Sequence, residues 1–356
     1  MPVLDSVVIG AGQAGLSASY HLARRGVTHV VLDGDDSPGG AWQHRWDSLT
    51  MRDVHGVAAL PGSEPPPEAE GRANVVVPAY FASYERAHDL PVERPVRVEE
   101  VVPVEDDLLE VRAGRHAWTT RTVVNATGTW SQPFVPAYPG RSRFRGRQLH
   151  THDYDGPGSF RGARVVVVGG GASAVQLLGE IAPVAAGTRW FTRRPPVWRT
   201  DDFTPEIGRA AVALVEDRVR RGLPPASVVS VTGLALREQE READRLGAYD
   251  RHPMFTALEP DGVRMADGCL WRADTVLWAT GFRPAVAHLA PLRLRSPHGG
   301  IQLDGTTAVA DRRVQLVGYG PSASTIGANR AGRVAARGVA AWLDRAGQSE
   351  SIASSA

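Results

Sequence analysis

Residues 7–15 read VVIGAGQAG, and the reading of this stretch decides the fold. Val7, Val8 and Ile9 form a continuous apolar run, the pattern of a strand buried on both faces of a parallel sheet. Gly10, Gly12 and Gly15 follow at G-x-G-x-x-G spacing, and Gln13 and Ala14 open a helix-like segment that reaches Arg25 and stops at Gly26. Strand, tight turn and helix in that order make a dinucleotide-binding unit. The glycines let the backbone approach a pyrophosphate, which the unpaired N–H groups of the helix N-terminus then stabilise. The next predicted strand, THVVLD at residues 28–33, ends on Asp33, where a carboxylate accepts hydrogen bonds from a ribose 2′-hydroxyl.

The same architecture recurs at residues 164–182, RVVVVGGGASAVQLLGEIA. Gly169, Gly171 and Ala174 give G-x-G-x-x-A after a predicted strand at 164–168, with Ala172 and Ser173 at the head of the following helix. The strand after it, TRWFTRR, ends in Arg193 and Arg194 at the place Asp33 holds in the first unit. A carboxylate there would repel a ribose 2′-phosphate, whereas a guanidinium pairs with one in bidentate fashion. The first site thus suits an unphosphorylated ribose and the second suits NADPH. The alternative is that both arginines only solvate the loop before Pro195 and Pro196. The expected fold class is α/β with two Rossmann-like dinucleotide-binding domains.

Composition narrows the chemistry. The chain has 356 residues, 42% hydrophobic content and a formal charge of +1, which argues against a general nucleic-acid binder. No run approaches 18 apolar residues. The N-terminus enters a strand pattern without a basic leader, so a cytoplasmic enzyme without membrane association is expected. The single cysteine, Cys269, excludes a Cys-x-x-Cys redox pair. All 40 basic residues are arginine, which removes Schiff-base chemistry and the P-loop lysine. Hard chemistry is therefore expected from a bound cofactor acting on a small molecule; a homo-oligomer is left open.

Four further segments carry a family resemblance. SPGGAWQHRWDSL at 37–49 resembles the G-G-x-W segment of flavoprotein monooxygenases of the flavin-containing (class B) type. NATGTWSQPFVP at 125–136 and LWATGFRP at 277–284 are similar to the paired A-T-G strands by which such chains cross between domains. Phe144, Gly146, His150 and Tyr154 match the fingerprint F-x-G-x-x-x-H-x-x-x-[FY] that precedes the NADPH site in that family. A metal reading of His150, His152 and Asp153 lacks a third or fourth ligand at a recognisable spacing, and no metal is expected.

The resemblance implies FAD in the first site, held by Gly10, Gly12, Gln13, Ala14, Gly15 and Asp33 with Gly40, Trp42, Leu49, Thr127 and Gly128. It implies NADPH in the second, at Gly169, Gly171, Ala172, Ser173, Ala174, Arg193 and Arg194, with Thr280 and Gly281 on the return crossing. It places Thr325, at the head of a C-terminal helix that Ser324 would cap, beside the flavin, where a helix dipole stabilises the negative charge of the reduced ring. Arg52 is the expected polar group beside the flavin, and His150 and Tyr154 either join the catalysis or set the NADPH domain over the flavin. Expected domains are 1–154 and 280–346 for FAD, 155–279 for NADPH, and a disordered tail at 347–356. The helix-like stretch 204–225 is read as a surface helix or an entrance to the substrate site, and the charged run 237–245 as a solvated helical face.

The implied reaction is NADPH reduction of the flavin, then reaction with O2 to a C4a-(hydro)peroxyflavin that passes one oxygen atom to a sulfide, an amine or a carbonyl. Tyr154-Asp155-Gly156-Pro157, where Baeyer–Villiger enzymes usually show Trp-Pro, favours the sulfide or amine. An NADPH oxidase or acceptor (quinone) reductase, and more remotely a non-catalytic flavin and nucleotide sensor, are the alternatives.

Overall fold

A computed structural model describes the chain apart from residues 1, 55–56, 67–70, 106, 200–204, 226–232, 235, 237, 324 and 355–356, and apart from the side chains of 205–211, 239, 325–326, 347 and 349–354. The first six strands are β1 (Leu4–Ile9), β2 (His29–Leu32), β3 (Val92–Glu93), β4 (Glu100–Pro103), β5 (Leu109–Ala113) and β6 (His116–Asn125). Then come β7 (Arg147–His150), β8 (Arg164–Val168), β9 (Gly187–Thr192), β10 (Arg251–Pro253), β11 (Ala257–Glu259), β12 (Gly262–Arg264), β13 (Leu270–Arg272) and β14 (Thr275–Trp278). The last are β15 (Leu303–Asp304), β16 (Thr307–Ala308) and β17 (Val314–Leu316).

They form three sheets. The first has the order β15-β16-β17-β6-β1-β2-β3, with a parallel centre from β17 to β3 and the β4/β5 hairpin paired antiparallel to the start of β6. The second, β10-β9-β8-β14-β7, is parallel throughout, and β11–β13 make a small antiparallel meander. Val7 and Val8 in β1 and Val165 to Val167 in β8 are fully buried, as residues covered on both faces of a parallel sheet must be.

Among the described residues five α-helices lie between strands: α1 (Gln13–Ala23), α2 (Ala73–Ala87), α3 (Ala172–Ile181), α4 (Pro205–Arg220) and the short α5 (Arg241–Arg245). The C-terminal helix spans Thr325–Ser354 and packs along α1. Small residues set that contact: a Cβ on Gly332 would stand 2.7 Å from the Ala18 nitrogen, and Ser17 Oγ donates to Asn329 O at 3.1 Å. Among the described residues no helix is long and apolar enough to cross a membrane.

Four expectations change. β7 belongs to the second sheet, so that unit begins near 147 rather than 155, because Arg147–His150 pair in register with β14. The segment 347–356, expected to be disordered, is helical as far as Ser354. The α4 helix is no plain surface helix: Val215 and Val219 are buried, and Val219 joins the core of β1 and β17 from the first sheet. Within 237–245 Glu240 is 1% exposed, so that run is not solvated throughout.

The two units are joined by reciprocal hydrogen bonds. The outward crossing follows β6 and the return crossing follows β14. Thr127 Oγ1 on the outward strand donates to Ala285 O at 2.6 Å, and Thr280 Oγ1 on the return strand donates to Phe134 O. The Phe134 N–H donates to Gly281 O at 3.0 Å and the Ala285 N–H to Gly128 O at 2.9 Å. One buried cluster also continues from α1 and α2 through Trp46, Leu49 and Tyr154 into α3.

Candidate functional site

Each glycine-rich turn is shaped by the strand that crosses it. Gly10 has φ +100°, and a Cβ there would stand 2.8 Å from Ala126 O, at the start of the first A-T-G segment. Gly169 has φ +144°, and its Cβ would stand 2.1 Å from Ala279 O, at the start of the second. Only glycine meets both demands, a left-handed backbone and passage of a neighbouring carbonyl. The second glycines differ in kind: a Cβ on Gly12 or Gly171 would meet no protein atom within 4 Å. Space is kept open there, beside the heads of α1 and α3, neither of which has a side-chain cap. In α1 the first intrahelical bond runs from the Leu16 N–H to Gly12 O at 2.9 Å, which leaves the N–H groups of Gln13 to Gly15 for a ligand anion.

A cavity of about 680 Å³ opens in front of the first turn. Gly10, Gly12, Gln13, Ala14, Asp33, Gly40, Trp42, Thr127 and Gly128 line it, together with Arg45, Trp130, His152, Phe282 and His288. Its size suits a cofactor and a small molecule. The Asp33 carboxylate is fixed by Arg94 Nε at 2.8 Å, and Arg94 is held in turn by both Glu85 oxygens at 2.7 and 2.8 Å. Burial pushes the Asp33 carboxyl up and Arg94 opposes it. Deep in the cavity His288 Nε2 bonds to Asn125 Oδ1 at 2.6 Å, and burial pushes the imidazole down to about 4, so it is neutral at pH 7.

Other expected residues sit elsewhere. Gly15 lies behind the turn, where a Cβ would stand 1.9 Å from Gly10 O. Leu49 is a core residue at 5% exposure and does not line the cavity. Arg52 is exposed and lies off the cavity, whereas Arg45, seven residues earlier, lines it, as does Arg97 from the segment after β3. Thr280 and Gly281 serve the crossing strands rather than the cavity. The side chain of Thr325, and Ser324 altogether, fall outside the described residues. Ala172, Ser173 and Ala174 open α3, and Arg193 and Arg194 follow β9, exposed and without an ion pair among the described residues.

His150 and Tyr154 lie off the cavity, buried at 3% and 4% exposure. His150 Nδ1 accepts from the His152 N–H at 3.0 Å, so Nε2 carries the proton and donates to Gly281 O at 2.9 Å. Nε2 thus holds the linker to the return crossing while Nδ1 closes the linker's own turn, and burial lowers the imidazole pKa. Tyr154 donates to Glu180 Oε2 at 2.9 Å. Glu180, on α3, also accepts from Trp46 Nε1 at 3.0 Å and from Ser48 Oγ at 2.5 Å. One carboxylate thus ties the G-G-x-W segment, the linker and the second unit together. Sequence reasoning missed Glu180, Arg45 and His288. Arg45 stands inside the quoted G-G-x-W segment, whereas no local signal marks the other two.

The family model of the pyridine nucleotide-disulphide oxidoreductases matches residues 7–208. Among solved structures, a flavin-containing monooxygenase from Stenotrophomonas maltophilia is 38% identical, with a TM-score of 0.82 over 96% of this chain and 100% of that one. Indole-3-pyruvate monooxygenase YUCCA1 of Oryza sativa subsp. japonica is 33% identical over 325 residues, covering 80% of this chain and 78% of that protein. A Baeyer-Villiger monooxygenase of Streptomyces coelicolor is 31% identical over 261 residues, covering 69% of this chain and 47% of that protein.

Proposed function

Because the chain belongs to the pyridine nucleotide-disulphide oxidoreductases and, within them, to the class B flavin monooxygenases, we propose that it is an FAD-dependent, NADPH-consuming enzyme that inserts one oxygen atom of O2 into a small organic substrate. The observation that carries this reading is the pair of glycine turns, each crossed by an A-T-G strand, with the two crossings hydrogen-bonded to one another. With Cys269 as the only cysteine and exposed, the chain has no dithiol to reduce.

The residues fit FAD in the first unit. The space beside Gly12 and the N–H groups of α1 take the pyrophosphate, Asp33 takes the ribose, and the wider cavity takes the ring. In the second unit the space beside Gly171 and the head of α3 take the NADPH pyrophosphate, and Arg193 and Arg194 the 2′-phosphate. The flavin, when bound, supplies hydride acceptance from NADPH and activation of O2. The protein's share is to hold these partners and exclude water. His150 and Tyr154 act as positioning residues, His150 on the return crossing and Tyr154 through Glu180. Neutral His288 adds no charge of its own to the cavity wall.

The test is to supply NADPH, isotopically labelled O2 and, in turn, a sulfide, an amine and a ketone. Label in the product, with less than one hydrogen peroxide per NADPH, supports the proposal. Complete conversion of NADPH to peroxide with all three would assign the chain to the oxidases instead.

A further inference from the structure

Arg45 is a half-buried cation on the cavity wall with no ion-pair partner among the described residues. Its guanidinium carbon lies 4.3 Å from the Trp130 ring centroid and 5.8 Å from that of Trp42. Its Nε is buried with no hydrogen-bond partner. The acidic side chains that pack within this segment are committed elsewhere. Asp35 accepts from His44 and Gln43, each at 3.1 Å, and Asp47 accepts from Arg72 and Asn74, each at 2.8 Å. Burial pushes the Arg45 guanidinium down to about 10, which leaves it fully cationic at neutral pH. Cation–π contact offsets part of the desolvation cost, but a half-buried unpaired charge stays expensive.

The side chain lines the cavity, so an anion entering there completes the pair. The cofactor phosphates have donors of their own in the two uncapped helix heads and, for the 2′-phosphate, Arg193 and Arg194. The walls around Arg45 are flat rings: Trp130, whose buried Nε1–H has no partner, stacks on Phe282 at 5.0 Å and lies 5.1 Å from the His152 ring. We infer that Arg45 binds the substrate, and that the substrate is an organic carboxylate with a flat, apolar body. This deepens the monooxygenase reading and rests on it.

Phenylpyruvate and phenylacetone, which share the aromatic body and the ketone and differ in the carboxylate, are the probes. Their affinities for the FAD-loaded enzyme are measured calorimetrically, without turnover. One charge-assisted hydrogen bond makes the acid bind about tenfold tighter or more. Arg45→Gln removes that preference while phenylacetone affinity, flavin occupancy and NADPH affinity stay as in the wild type; Arg45→Lys keeps part of it. Equal affinity of the wild type for both probes overturns the inference. So does an Arg45→Gln enzyme that weakens on NADPH or flavin and still prefers the acid, since Arg45 would then serve a cofactor. The two readings fail separately: a preference for the acid without oxygen insertion strikes the function, and oxygen insertion without the preference strikes Arg45.

Discussion

Replacing Glu180 by alanine removes one acceptor from three donors. Trp46 Nε1, Ser48 Oγ and Tyr154 O–H converge on its two oxygens at 3.0, 2.5 and 2.9 Å. Ser48 is exposed and turns to water, but Trp46 and Tyr154, at 5% and 4% exposure, leave an indole N–H and a phenol O–H buried without a partner. Each such orphan costs about 1–3 kcal/mol, partly offset because a carboxylate no longer has to be desolvated. A net loss of about 2–4 kcal/mol follows. Glu180→Gln should lose about 1 kcal/mol, because its amide oxygen serves Trp46 and both hydroxyls can accept from its NH2. A cycle of Glu180→Gln, Trp46→Phe and the double variant should yield a coupling energy of at least about 0.5 kcal/mol, as for residues in direct contact. The assay is urea unfolding of the flavin-free chain, with the ratio of peroxide to NADPH consumed measured on the loaded enzyme. That ratio should rise in Glu180→Ala, since the second unit is no longer held to the G-G-x-W segment. A Glu180→Ala protein within about 0.5 kcal/mol of wild type, with an unchanged ratio, would refute the clamp.

The two kinds of glycine should separate in one experiment. Gly10→Val, driven onto Ala126 O, should be insoluble, whereas Gly12→Val should fold and purify colourless; full flavin occupancy in Gly12→Val would sink the assignment of the first site. Changing Arg193 and Arg194 together to alanine should lower the preference for NADPH over NADH about tenfold or more, since each charge-assisted bond to the 2′-phosphate contributes roughly 1.5–3 kcal/mol; discrimination equal to wild type would assign these arginines to solvent. For His288 the folded imidazole titrates near 4 against an ordinary 6.5, so the unfolded chain binds the proton first. Its contribution, about 3 kcal/mol, is full above pH 6.5 and disappears as pH falls towards 4. Unfolding of flavin-free His288→Gln across that window should show a shallower pH slope than wild type, and an identical slope would exclude His288 as its source.

What the sequence determined by itself is the part written in local rules. A buried-strand run, a glycine turn and a helix head follow one another within 15 residues, so VVIGAGQAG declares both its conformation and the anion it suits. The Asp33 and Arg193–Arg194 contrast is legible for the same reason, since a fixed strand length carries each to the same corner of its unit. What the tertiary structure decided are the residues whose partners lie far along the chain. Glu180 looks like any helical glutamate until the fold brings Trp46, 134 residues away, within 3.0 Å. Arg45 and Arg52 are the same residue type and close in sequence, yet the fold sends one into the cavity wall and leaves the other outside. Short-range patterns encode backbone geometry, whereas burial and pairing are set by which distant surfaces meet, and no local spacing records that.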